Sequence, residues 1–160
     1  GDTDHNLEPK DMFDIAEGTR EGNREAVLKT FEDYGEIAGD AMATAATLID
    51  GLIVIGGGIT AARKWIMPSL LKELRSKMHT LSGDELNRVQ MKVYDLDDAT
   101  QFAAFAQGDS RRIKVYGSDR EIVYDPQKRI GVMTSHIGAS RAISLGAYAF
   151  ALNSIDRDAR

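Results

Sequence analysis

Three consecutive glycines, Gly56, Gly57 and Gly58, are the residues of this chain best placed to bind a ligand, and they are called the glycine run below. They follow a short apolar segment at residues 52–55, whose β-branched residues predict a buried strand. Residues without a Cβ at the carboxyl end of a strand let a ligand contact the backbone, and ligands bind at that edge of α/β sheets. The glycines also fit a second interpretation, in which they only permit a tight turn from strand to helix.

Side chains that commonly bind metals are present but poorly arranged. The histidines are scattered and lack partners at helical spacing, so we expect no metal site. They are His5, His79 and His136. Asp95, Asp97 and Asp98 follow a predicted strand. They could hold Mg²⁺, but Asp97 or Asp98 fits better as the N-cap of the next helix.

Known catalytic and nucleotide-binding motifs are missing. No Gly-x-x-x-x-Gly-Lys-Ser/Thr sequence occurs, and the glycine run matches only a relaxed form of Gly-x-Gly-x-x-Gly. The acidic residue expected about 20 positions later in that fingerprint is also absent. Ser135, Ser140 and Ser144 have no surrounding nucleophile elbow. The sequence therefore identifies no catalytic residue.

Composition predicts an ordered globular chain, one domain or a large part of one. Of 160 residues, 42% are hydrophobic, 28% are charged and only 3 are proline. The absence of cysteine excludes a disulfide scaffold and a thiolate metal site, and it suits a cytoplasmic location. No apolar run approaches the ~20 residues that cross a bilayer, and a net charge of −5 disfavours nucleic acid as a partner.

The first third of the chain predicts two helices. After a flexible start at residues 1–10, a helical pattern runs from about residue 10 to 50 with a break at residues 17–22. The long helix carries an apolar stripe that we expect to be buried. Its members are Val27, Phe31, Tyr34, Ala38, Ala41, Ala45 and Leu48. Another face carries Gly35, Gly39 and Ala43, small residues that permit close approach of a second element.

A βαβ unit is predicted next, with its two strands parallel. Its helix should have Pro68 in the first turn. The expected buried stripe of that helix comprises Ile66, Leu70, Leu74 and Met78. A turn at residues 81–84 leads to a strand in which Val89, Met91 and Val93 alternate with polar residues.

The remaining residues predict an insertion and a final helix. Residues 97–137 form the insertion, with a short helix, two strands at 113–116 and 121–124, and a third extended piece at 129–134. The last helix, at residues 140–154, is apolar on nearly every side and is expected to be buried. A tail at 156–160 would end the chain, so the main lobe spans residues 11–155.

The order of these features resembles the carboxyl-terminal half of a ROK-family protein, a family of glucokinase-like sugar kinases and sugar-sensing repressors. The resemblance rests on Ile49-Asp50-Gly51, on Ile53-Val54-Ile55 with the glycine run and Ile59, on Pro68-Ser69-Leu70, and on Ser144-Leu145-Gly146-Ala147-Tyr148-Ala149. It covers residues 11–95 and 138–155, and the insertion departs from the family pattern.

The resemblance implies an α/β fold, part of an actin-like ATPase (ribonuclease H-like) lobe with a βαβ unit, long helices and an inserted β-hairpin region. It implies that Gly56, Gly57 and Gly58 lie against the adenosine of ATP, with Thr60 lining the pocket. ATP with Mg and a hexose substrate are expected for the intact protein. For this chain alone, tight binding of ATP and Mg is not expected.

The same resemblance sets a limit on activity. An Asp-x-Gly-Gly-Thr phosphate loop, an aspartate base, a Gly-Thr-Gly turn and a His-and-Cys zinc motif are all expected of the family and do not occur here. Because such groups supply most of the rate in phosphoryl transfer, we expect this chain alone to be inactive and to need a missing amino-terminal lobe.

The family fold also predicts an unpaired edge on the strand at residues 52–55. We expect the chain either to form a homo-oligomer or to cover that edge with part of residues 111–134. Two alternatives to a kinase stay open: the sugar-sensing portion of a ROK repressor, and a stand-alone interaction or dimerisation remnant.

Overall fold

The computed structural model describes residues 7–158 and contains a parallel sheet, two small hairpins and five helices within that range. In chain order the elements are α1 (Pro9–Glu17), α2 (Arg24–Leu48), β1 (Ile53–Ile55), a 3₁₀ turn (Gly58–Ala62), α3 (Arg63–Leu74), β2 (Lys77–His79), β3 (Glu85–Asn87), β4 (Lys92–Asp95), α4 (Ala99–Gln107), β5 (Arg111–Lys114), β6 (Glu121–Tyr124), β7 (Arg129–Thr134) and α5 (Ala139–Asp158). Among these residues, no helix combines the length and apolar character needed to cross a membrane.

The break between α1 and α2 has a local cause on each side. Gly18 ends α1 in the left-handed region at φ 80°, a conformation that glycine adopts without steric cost. Asn23 begins α2, where its side chain accepts a hydrogen bond of 3.0 Å from the backbone N–H of Ala26. The predicted pair of helices is therefore confirmed, although α1 starts at Pro9, inside the segment expected to be flexible.

The face of α2 that packs against α3 is the small-residue face. A Cβ on Gly39 would lie 2.7 Å from the carbonyl oxygen of Leu70 and 2.8 Å from the Cβ of Glu73, so the two backbones are in near contact. A Cβ on Gly35 would overlap Ser69. The close approach predicted from Gly35, Gly39 and Ala43 is confirmed.

The apolar stripe predicted for α2 is wrong beyond its first turns. Val27 and Phe31 are buried, but Tyr34 is 48% and Leu48 82% exposed. Ala41 and Ala45 are exposed as well. The reason is that Gly35 and Gly39 let α3 pack directly against the small-residue face of α2. The larger side chains, which lie on other faces of α2, are therefore left exposed. The buried residues of α2 are Val27, Phe31, Gly35, Gly39, Ala43 and Ala46.

Helix α3 starts earlier than predicted. Pro68 lies inside the helix rather than in its first turn, so that prediction is wrong. Pro68 has no N–H to donate to the carbonyl oxygen of Lys64, four residues earlier. Both residues are exposed, so solvent can donate to that oxygen instead. Ile66, Leu70 and Leu74 are buried as expected. Met78 instead lies in strand β2 and is 44% exposed.

The core between α1, α2 and α3 is completed by aromatic side chains. Trp65 stacks on Phe31 with ring centroids 5.5 Å apart, and Phe13 meets the same indole edge-on at 5.7 Å. Leu70 and Leu74 are the most deeply buried leucines of this layer, which packs against the sheet through Val93, Ile130 and Val132.

The sheet has the order β1-β7-β4, and all three strands are parallel. Strands β1 and β4, with α3 between them in sequence, form the predicted parallel βαβ arrangement, but they are not neighbours. Strand β7 lies between them and pairs with both. The third extended piece of the predicted insertion is therefore the central strand of the sheet, while α4 and the β5–β6 hairpin make up the rest of that segment.

Strand β7, which lies within the segment 111–134 expected to cover an edge of β1, pairs with one edge of that strand. The other edge of β1 has no partner strand among residues 7–158. Val54, which faces away from the core side of the sheet that Ile53 and Ile55 contact, is also 57% exposed. This edge is therefore open within the described part of the chain.

Helix α5 is helical as predicted but is not buried, so that expectation is wrong. Its large apolar side chains are largely exposed, for example Ile143 at 72% and Phe150 at 74%. Apolar residues do occur on every side of the helix, as the sequence indicated. The described residues do not supply the surface against which such a helix would pack.

We expect Gly39→Ala to lower the free energy of unfolding by about 1 to 3 kcal/mol, because the added methyl group would push α2 away from α3. Urea denaturation of the purified chain measures this. Gly146→Ala in α5 is the matched control, since a Cβ there meets no described atom within 4 Å. The control should leave stability unchanged or raise it by up to about 1 kcal/mol. Equal losses in both variants would contradict close packing at Gly39.

Candidate functional site at the carboxyl edge of the sheet

The parallel sheet brings three chain segments to one edge. Since β1, β4 and β7 run in the same direction, their carboxyl ends meet there. The glycine run follows β1, Asp95 and Asp97 lie at the end of β4, and Thr134 ends β7. Helix α3 begins at the same edge with Arg63. Residues that are far apart in sequence thus form one candidate site.

The glycine run combines a conformational requirement with open space. Gly57 has φ 88°, where a residue with a side chain would be strained. A Cβ built on Gly57 or Gly58 meets no atom of the described chain within 4 Å, and one on Gly56 meets only Ser135, at 3.9 Å. The tight turn and the accessible backbone predicted as alternatives are therefore both present.

Thr60 closes the turn that follows. Its hydroxyl donates a hydrogen bond of 2.8 Å to the carbonyl oxygen of Gly57, and its backbone N–H approaches the same oxygen at 3.2 Å. Thr60 also lines a small, mostly apolar pocket of about 30 Å³ together with Ile55, Ile59, Arg63 and Tyr34. That volume suits water-sized groups only, so a larger ligand at this edge would lie on the open backbone of the glycine run.

Arg63 ties the start of α3 to the end of β4. Its Nη2 lies 2.7 Å from both carboxylate oxygens of Asp95, and its Nε lies 2.7 Å from Oδ2 of Asp97. The Arg63 side chain is 31% exposed, whereas those of Asp95 and Asp97 are 12% and 8% exposed. A planar guanidinium suits this double contact because its donors point in fixed directions.

Asp97 also holds the end of β7. Its Oδ2 accepts hydrogen bonds from the backbone N–H of Thr134 at 3.0 Å and from the Thr134 hydroxyl at 2.7 Å. Burial raises the pKa of Asp97, but the hydrogen bonds from Thr134 and Arg63 outweigh it and hold the pKa of that carboxyl below its usual value. Asp97 is therefore a charged acceptor shared by two elements.

The acidic residues singled out in the sequence have distinct roles. Asp98 is the N-cap of α4, accepting a hydrogen bond of 2.8 Å from the backbone N–H of Gln101, which confirms the capping interpretation. Asp95 and Asp97 are occupied by Arg63. Residues 7–158 contain no group of three or more histidine, aspartate or glutamate side chains arranged to hold a metal ion.

The histidines and serines form no catalytic group in the described residues. His136 Nε2 lies 3.2 Å from Oδ1 of Asp97, His79 lies in the β2–β3 hairpin, and His5 is outside the described range. Ser144 donates its hydroxyl to the carbonyl of Ser140 within α5.

Sequence reasoning missed Arg63. One signal was available: an arginine five residues after the glycine run must lie near the carboxyl edge where the aspartates end β4.

We expect the stabilisation due to Asp97 to depend on pH. A carboxylate whose pKa is lower in the folded than in the unfolded chain stabilises fully above the unfolded pKa of about 3.9, and loses that effect as pH falls through the folded value. The difference in unfolding free energy between wild type and Asp97→Asn should therefore be constant near neutral pH and shrink below about pH 4. Urea denaturation across that range measures it.

The control for this series is Asp119→Asn, which changes a fully exposed aspartate. Its difference from wild type should stay small at every pH. A wild-type to Asp97→Asn difference that did not vary with pH would contradict an ionised Asp97 in the fold.

Comparison with known proteins gives one strong similarity. No protein-family model and no curated protein matches the chain. Among solved structures it is similar to the glucokinase from Parabacteroides distasonis ATCC 8503, with 52% sequence identity and a TM-score of 0.79. The match covers 94% of this chain and 40% of that glucokinase, so the chain spans well under half of its relative's length. The predicted resemblance to part of a glucokinase-like protein is thereby confirmed.

Proposed function

We propose that this chain is the nucleotide-side portion of an ATP-dependent sugar kinase that phosphorylates glucose or a related hexose. The 52% identity to a glucokinase over 94% of the chain is the observation that carries the proposal. The accessible glycine run at the carboxyl edge of a parallel sheet supports it, because ligands of open α/β sheets bind at that edge. In this proposal the chain is the carboxyl-terminal part of an actin-like ATPase lobe.

The nucleotide would lie on the glycine run. Gly57 and Gly58 leave the backbone uncovered, so the flat face of adenosine can approach it, while Gly56 and Thr60 border the contact. ATP supplies the phosphoryl group that the hexose receives. The described residues fit the adenosine part of ATP only. They do not fit its Mg²⁺, since they contain no group of three or more histidine, aspartate or glutamate side chains arranged to hold a metal ion, and Arg63 binds both oxygens of Asp95 and Oδ2 of Asp97.

The groups that perform phosphoryl transfer are proposed to lie in the rest of a glucokinase-like protein. This chain carries no phosphate loop or assigned base, and it matches 40% of the related chain. Its own contribution is to bind and orient the nucleotide. The proposed location is the cytoplasm, where ATP and free hexoses are both available.

Two exposed surfaces support the need for a partner. Helix α5 presents apolar side chains on all sides, and the outer edge of β1 is open within residues 7–158. Apolar surface and unpaired strand edges both favour association. The proposed partner is the remaining lobe of the kinase, and in its absence a second copy of this chain.

The isolated chain is therefore expected to self-associate as its concentration rises. Multi-angle light scattering of wild type should give a mass above that of one chain, 17.5 kDa. The double variant Ile143→Gln and Phe150→Gln should shift the distribution toward the monomer. Leu81→Gln is the control, because it removes an exposed leucine that lies in a hairpin turn away from α5. A wild-type chain that stays monomeric at every concentration would contradict this expectation.

The nucleotide site is tested by Gly58→Val in the intact protein that carries this chain. A Cβ there meets no described atom within 4 Å. It would occupy the space proposed for adenosine, so ATP affinity should fall about tenfold or more, equivalent to about 1.4 kcal/mol. Calorimetric titration and a coupled assay with ATP and glucose measure this.

Gly51→Val is the matched control, because a Cβ at Gly51 is equally unhindered but lies before β1. It should retain wild-type affinity and turnover. Failure of the intact wild-type protein to phosphorylate any hexose with ATP would overturn the proposed function. The isolated chain in the same assay should give no turnover above background, and turnover there would refute the proposed division of roles.

A further inference from the structure

We propose that Asp97 is a positioning residue that holds both ends of the glycine run, so that its backbone is pre-organised for a nucleotide. The inference rests on the proposed nucleotide-side function. Asp97 itself would not contact the nucleotide. It acts through Arg63 and Thr134, the two residues to which its Oδ2 is hydrogen-bonded.

The upstream end of the glycine run is anchored through Thr134. Ile55, the residue before Gly56, is the register partner of Thr134 in the β1–β7 pair. The backbone N–H of Ser135 donates a hydrogen bond of 2.8 Å to the carbonyl oxygen of Ile55. Because Thr134 gives both its N–H and its hydroxyl to Asp97, the position of this pairing depends on the carboxylate.

The downstream end is anchored through Arg63. The glycine run leads into the 3₁₀ turn, and Arg63 is the first residue after that turn. Its Nε lies 2.7 Å from the same Asp97 Oδ2 that binds Thr134. One oxygen of the nearly buried Asp97 carboxylate therefore joins Thr134, which pairs with the strand before the run, to Arg63, which follows the turn after it.

An anchor matters here because, apart from the hydrogen bonds from Thr60 to the carbonyl oxygen of Gly57, few contacts fix the glycine run. Glycine has more backbone freedom than any other residue. A Cβ built on Gly57 or Gly58 would meet no described atom within 4 Å, so no neighbouring group packs against these residues on that side. Ordering such a segment on binding costs affinity, and fixing it beforehand removes that cost. A shared carboxylate is a suitable anchor, since hydrogen bonds to charged groups are stronger than neutral ones.

The position of Asp97 is also fixed from behind. Its backbone N–H donates a hydrogen bond of 3.0 Å to Oδ1 of Asp95, the residue that binds the Nη2 of Arg63. The backbone N–H of Asp95 in turn donates to Oε1 of Gln101 at 3.0 Å. This chain of contacts holds the carboxylate against the end of β4 rather than leaving it on a free loop.

The test compares Asp97→Asn with Asp98→Asn in the intact protein. The first change keeps the size of the side chain but removes its charge, whereas asparagine is as good an N-cap as aspartate at position 98. Amide hydrogen exchange should become about tenfold faster at residues 56–60 in Asp97→Asn, with α1 and α2 unchanged. The Michaelis constant for ATP should rise about tenfold with a smaller change in kcat. Asp98→Asn should match wild type in both measurements.

A second pair of variants covers the case in which Asp97→Asn does not fold. Thr134→Val removes the hydroxyl that donates to Asp97, so it should reproduce part of both effects. Thr134→Ser keeps the hydroxyl and should behave like wild type in both measurements. A merely structural ion pair would instead accelerate exchange evenly across the chain and leave the Michaelis constant for ATP unchanged, which would overturn the inference. If the wild-type protein bound no ATP, the proposed function would fail, and the exchange pattern alone would decide the role of Asp97.

Discussion

The parallel pairing of β7 with both β1 and β4 is the interaction on which the rest of this structure depends. Without β7 the two other strands would share no hydrogen bonds, and their carboxyl ends would not be aligned. With it, the glycine run, the aspartates and Thr134 meet at one edge. The helices then cover one face of a sheet whose central strand is almost fully buried, as Ile130 and Val132 indicate.

Charge is concentrated where this sheet ends. Burying Asp95 and Asp97 is unfavourable unless their oxygens are paired. Arg63 donates to both oxygens of Asp95, and Arg63 and Thr134 donate to Oδ2 of Asp97, whereas the buried Oδ1 of Asp97 accepts no hydrogen bond from the described residues. The pKa of Arg63 reflects the same balance: burial lowers it, and the hydrogen bonds to the two aspartates outweigh that effect and raise it. This ion pair fixes the start of α3 relative to the end of β4, because any arrangement that separated them would leave a buried carboxylate without its guanidinium partner.

The surfaces of the chain suit a portion of a larger protein. The exposed apolar side chains of α5 and the unpaired edge of β1 both favour packing against another protein surface, and the described residues do not provide one. The helices α2 and α3, in contrast, are packed as tightly as backbone contact allows. Within residues 7–158, the fold is thus well determined on the helical side and open at the sheet edge and at α5, in keeping with a similarity that covers 40% of a glucokinase.

The sequence by itself determined the features that depend on neighbouring residues. Gly18 and Asn23 set the ends of α1 and α2, Asp98 caps α4, and the apolar run before Gly56 forms a strand, all through local backbone preferences. The family resemblance followed from the order of these local features. Only the tertiary structure decided which face of α2 is buried, that β7 is the central strand, and that Arg63 binds Asp97, a residue 34 positions away in the chain. The free energy of such contacts comes from packing and charge pairing across elements, which no local pattern of residues encodes.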